Sequence, residues 1–99
     1  MSAKRVEYHQ GAIADVKSAL VWYEKRSAKA ALNFVEELHR AAETIREAPE
    51  RWPIGKNNTN RFLLWRFQFA VIYSGRESVI TIWAVAHGSR RPEYWAHRV

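Results

Sequence analysis

Apolar side chains along this chain shift between a two-residue and a helical spacing, and the shifts mark out its elements. Val6 and Tyr8 share one face of Arg5-Val6-Glu7-Tyr8-His9, which predicts a short first strand. Gly11 breaks that alternation. From Ala12 the spacing is helical, with Ile13, Val16, Leu20 and Tyr23 on one stripe and Ala19 beside it. Asp15 falls in the first turn of this helix, where a carboxylate complements the helix dipole. Lys25-Arg26-Ser27 closes it, and Ser27 is placed to cap a second helix. There Ala31, Phe34, Val35, Leu38, Ala41, Ala42 and Ile45 form one apolar stripe, and Glu36, Glu37, Arg40, Glu43 and Glu47 point away. The short break between the helices predicts an antiparallel hairpin, and Pro49 ends it.

A polar loop follows from Pro49 to Asn60, and then the alternation returns. Phe62 and Leu64 oppose Leu63 and Trp65, with Arg61 and Arg66 on opposite faces of the same strand. Phe67, Phe69, Val71 and Tyr73 oppose Gln68, Ala70, Ile72 and Ser74. Ser74-Gly75-Arg76-Glu77 carries the turn signal. Val79, Thr81, Trp83, Val85 and His87 then oppose Ile80, Ile82, Ala84 and Ala86. A last strand apolar on both faces belongs inside a sheet. The order is β-α-α-β-β-β, an α+β fold with a helical hairpin packed on one face of an antiparallel-rich curved sheet. The other face stays at least partly open to a partner. Residues 1–99 form a single domain, with no repeat and no second linker.

Composition narrows the function. With no Cys among the 99 residues, disulfides and thiolate metal sites are excluded. The four His show no metal-ligand spacing, so no metal and no cofactor is expected. Neither a signal-peptide run nor an apolar stretch of membrane-spanning length is present, which predicts a cytoplasmic protein with no membrane partner. Five Trp are more than so small a core can hide, so exposed Trp is expected. The net charge of +6 is unevenly spread: residues 52–99 hold seven Lys or Arg against only Glu77 and Glu93. A basic half of this kind attracts nucleic acid or an acidic protein surface.

Several stretches together resemble the RelE/ParE superfamily of toxins from type II toxin–antitoxin systems, the plasmid-stabilisation type included. They are Arg61-Phe62-Leu63-Leu64, Phe69-Ala70-Val71-Ile72-Tyr73, and Ile82-Trp83-Ala84-Val85-Ala86-His87-Gly88-Ser89-Arg90-Arg91, after the Ala-rich second helix and Pro49. The resemblance covers nearly the whole chain. It implies a growth-inhibiting toxin with a cognate antitoxin, joined in a toxin–antitoxin hetero-oligomer. The target it implies is DNA gyrase for ParE-like members and mRNA on the ribosome for RelE-like ones. One fold serves both, so the target must be argued from the site.

Cleavage of RNA through its 2′-hydroxyl needs a base, an acid and cations for the phosphorane, with no metal. His87, Arg90 and Tyr94 are the candidates for a metal-independent endoribonuclease. Lys56, Arg61, Arg90 and Arg91 are the candidates for binding a target or nucleic acid. Each has a plainer role as well: a backbone-bonded His at a strand end, solvated basic side chains in turns, and Tyr94 and Trp95 packing the tail on the sheet. RelE-like ribonucleases resembling this chain carry Arg directly after the aromatic that corresponds to Phe69, and here that residue is Ala70. A methyl group cannot neutralise a phosphate, so the departure favours a ParE-like gyrase inhibitor. A RelE-like, ribosome-dependent mRNA endoribonuclease is the alternative, and a non-toxic nucleic-acid or protein interaction domain is the third reading.

Overall fold

The computed structural model describes residues 4–64 and 66–99. Trp65, which the alternation sets beside Leu63, lies outside them, as do Met1, Ser2 and Ala3. The elements are β1 (Arg5–Tyr8), α1 (Gln10–Glu24), α2 (Ala28–Glu47), β2 (Asn60–Leu63), β3 (Phe69–Arg76) and β4 (Val79–His87). Single 3-10 turns lie at Pro49–Arg51, Lys56–Asn58 and Ala96–Arg98. The strands make one sheet in the order β1-β4-β3-β2. β2 and β4 flank β3 antiparallel, and β1 lies parallel to β4 with Val6 opposite Ile80 and Tyr8 opposite Ile82. β4 is therefore internal, as its two apolar faces require.

Both helices cover one face of this sheet. Ser27 caps α2 by accepting the Ala30 N–H at 3.2 Å, and α2 buries Ala31, Phe34, Leu38, Ala41, Ala42 and Ile45. The Phe34 ring meets those of Tyr23, Phe67 and Phe69 at 5.3, 5.4 and 5.0 Å, an aromatic centre for the core. Val35, expected on the stripe, is 42% exposed at its edge.

α1 starts earlier than the apolar spacing suggests, at Gln10, because His9 caps it: Nδ1 accepts the Gly11 N–H at 2.9 Å. His is outside the usual capping set, so the start is not legible from residue type. Gly11 is consequently inside the helix, and Asp15 lies beyond the first turn, on a buried face with Ala12 and Ala19. Ile13 turns to solvent.

The strands correct further details. Arg66 lies in the turn after β2, not on the strand, and Phe67 precedes β3 while still packing in the core. The β3–β4 reversal is at Glu77–Ser78, and Gly75 is a strand residue opposite Ile80. Glu77 turns the chain with φ at 56°. Ile72 pairs with Ala84 but Tyr73 pairs with Ile82, so Trp83 is an extra residue, a β-bulge. The bulge reverses the parity of β4. Ile80 and Ile82 face the helices before it, and Val85 faces them after it. Ala84 faces the opposite side with Ala70 and Ile72. That outer face is not left open over its centre: Trp95 packs on these three residues and is itself buried.

Candidate target-binding face

Past β4 the chain turns sharply. Gly88 donates its N–H to Gln68 O at 2.7 Å and Arg90 donates to His87 O at 3.0 Å. The tail then folds back over the outer sheet face. Between the tail, the β2–β3 pair and the Lys56–Asn58 turn lies a cavity of about 380 Å³. Lys56, Arg61, His87, Arg90, Arg91 and Tyr94, six positions singled out from the sequence, all line it. Its floor is Ala70, Ile72 and Ala86. Arg66 is not among its lining residues. A second cavity of about 260 Å³ lies between α1 and the ends of β3 and β4, against Asp15, Trp22, Tyr23 and Phe69. His87 and Arg90 line both, forming a ridge between them.

Lys56, His87, Arg90 and Tyr94 are already engaged with neighbouring groups. The Arg90 guanidinium lies 3.9 Å over the Tyr94 ring. Lys56 Nζ meets the Glu93 carboxylate at 2.7 Å, which holds the ammonium above its ordinary pKa. His87 sets its ring edge-on to Phe69 at 4.9 Å. Its Nδ1 accepts the Ser89 N–H at 3.0 Å and lies 2.7 Å from the Ser89 hydroxyl. The Tyr94 hydroxyl donates to Asp15 Oδ2 at 2.9 Å. Burial, with Asp15 beside it, pushes that phenol up to about 12. Arg61 and Arg91 are exposed at the rim.

Asp15 organises the tail. Its carboxylate also accepts the Val85 N–H at 3.1 Å and Arg98 Nη1 at 2.8 Å, and Nη1 donates further to Trp83 O at 3.1 Å. β1 pairs with β4 only as far as Ile82, so the edge of β4 beyond the bulge lacks a strand neighbour. The Asp15–Arg98 pair stands in for one, satisfying an N–H and a C=O that would otherwise be left without partners. Gly11 makes room for it: a Cβ there would lie 2.5 Å from Arg98 Nε and 2.6 Å from Cζ.

The comparisons agree with this architecture. A solved structure titled as the chromosomal ParDE TA system from P. aeruginosa superposes with a TM-score of 0.75 at 15% identity, covering 86% of this chain and 96% of that one. No curated protein sequence matches the chain. The family described as ParE toxin of type II toxin-antitoxin system, parDE, matches residues 6–92. The chain belongs to the ParE toxin family.

Its match runs through both helices and the sheet from Val6 and stops at Pro92, short of the Ala96–Arg98 turn, while the solved structure at that identity speaks for the fold. Among the described residues of this ParE toxin no helix is long and apolar enough to cross a membrane. Sequence reasoning read Asp15 as a helix-dipole residue and Gly11 as a break, and missed their joint role with Arg98; all three lie outside the motifs that carry the resemblance. One signal was present: Asp15 shares a helical face with Ala12 and Ala19, and a carboxylate on a buried stripe requires a donor. Nothing in the spacing says that the donor comes from the penultimate residue.

Proposed function

We propose that this ParE-family toxin acts by binding, that its target is DNA gyrase, and that a cognate antitoxin neutralises it in a cytoplasmic hetero-oligomer. The observation that carries this reading is the floor of the basic cavity. Ala70, Ile72 and Ala86 put no cation on that floor, and the Tyr94 phenol is bonded to Asp15. Stabilising a phosphorane needs donors aimed at the developing charge. The basic rim of Arg61, Arg90 and Arg91 instead suits recognition of an acidic protein surface.

Purified toxin added to gyrase, relaxed plasmid and ATP should block supercoiling, and Arg90→Glu should restore it. Full supercoiling at saturating toxin would refute the reading. A RelE-like endoribonuclease is the second reading, supported by the gathering of His87, Arg90, Lys56 and Arg61 at one cavity. Its signature is new mRNA ends after induction, lost in His87→Ala and Arg90→Ala. If both variants keep full cleavage, those residues are not its site.

A further inference from the structure

The basic cavity holds one acid. Glu93 is one of only two carboxylates in residues 52–99, and it lies among Lys56, Arg61, Arg90 and Arg91. Its backbone is in the left-handed region at φ 61°, a conformation that disfavours a residue with a Cβ. Across the cavity, Lys56 leaves a turn whose next two residues, Asn57 and Asn58, also have positive φ. Two tight left-handed turns thus meet through a single ion pair at 2.7 Å. Both partners keep solvent access, with the Lys56 side chain 78% exposed and Glu93 37% exposed, so the pair can open without dismantling the core. An exposed pair of this kind adds little to stability.

We infer that Glu93 is a built-in occupant of a site for an acidic protein segment, which displaces it from Lys56 on binding. This rests on the reading of the cavity as the toxin's working surface. The chemistry favours peptide over nucleic acid. A base needs an open aromatic face on which to stack. The Tyr94 face is covered by Arg90, and Trp95 is buried against Ala70 and Ile72. What the cavity offers is an apolar floor for small side chains and a rim of cations. That matches an extended segment with carboxylates flanking Ala or Val. An arriving carboxylate takes over Lys56, and Glu93 rotates to solvent. The internal acid weakens attachment of any acidic segment and excludes those with too few charges to compete.

The test is binding of a fluorescein-labelled Glu/Asp–Ala peptide to the full chain, followed by anisotropy at low and physiological salt. Glu93→Gln removes the competitor and should tighten the peptide about threefold to fivefold, the scale of one exposed charge pair. In the Lys56→Ala background, which lacks the ammonium that the arriving carboxylate takes over, Glu93→Gln should give no gain. Glu77→Gln makes the same change in net charge at the distant β3–β4 turn and should leave affinity unchanged. Equal effects of Glu93→Gln and Glu77→Gln, or additivity of Glu93→Gln with Lys56→Ala, would overturn the inference. So would a single-stranded oligonucleotide showing the Glu93 dependence in place of the peptide. Failure of these peptide measurements with gyrase inhibition intact overturns Glu93's role alone. The expected peptide behaviour without gyrase inhibition overturns only the gyrase reading.

Discussion

Removing the guanidinium of Arg98 tests how the tail is held. Arg98→Ala leaves Asp15 buried with only the Val85 N–H and the Tyr94 hydroxyl, and leaves Trp83 O without its donor. The side chains of Arg98 and Asp15 are 10% and 7% exposed, so solvent cannot take over these contacts without opening the structure. Breaking a buried pair by deleting one partner costs about 3–5 kcal/mol, because the remaining charge is uncompensated. For a domain of this size each kcal/mol moves Tm by about 4–8 °C, so a loss of roughly 12 °C or more is expected. The assay is thermal and urea unfolding by circular dichroism, with the same measurements on Asp15→Asn and on the double variant. Adding Asp15→Asn to Arg98→Ala removes the stranded charge and should recover much of the loss, giving a strongly non-additive cycle. If Arg98→Ala costs less than about 1 kcal/mol, the behaviour expected of a surface ion pair, the account of the clamp is wrong.

Gly11→Ala should destabilise the wild type by driving Arg98 off Asp15. In the Arg98→Ala background the same change should be neutral or stabilising, by up to about 1 kcal/mol of helix propensity; the change of sign, read by urea unfolding, is the check. Glu77→Gly relieves a left-handed residue at the β3–β4 reversal. It should stabilise by about 1 kcal/mol, measured as a rise in Tm. Tyr73 and Tyr94 are pushed up to about 12 by burial, and Tyr8 and Tyr23 are also raised. Folding therefore favours the neutral phenols, a contribution present below the ordinary phenol value near 10 and lost as pH climbs toward 12. Phenolate absorbance should lag a free-tyrosine titration and rise together with alkaline unfolding; ionisation near 10 in the folded protein would contradict the burial argument.

The element order, the α2 stripe, the Ser27 cap and the internal place of β4 were readable from residue spacing, because each depends on side chains a few positions apart. The convergence of Lys56, Arg61, His87, Arg90, Arg91 and Tyr94 was legible only as a set of candidates, drawn from the resemblance and the basic second half. Tertiary structure decided the rest. The Trp83 bulge reversed the faces of β4, since an extra residue appears only against a partner strand. His9 started α1 early through one hydrogen bond that its type does not advertise. Gly11 and Asp15 lie one turn apart on α1, but Arg98 is separated from both by most of the chain. What relates them is an unpaired strand edge, a buried carboxylate and the space of one missing Cβ, and those exist only once the sheet, the first helix and the tail have come together.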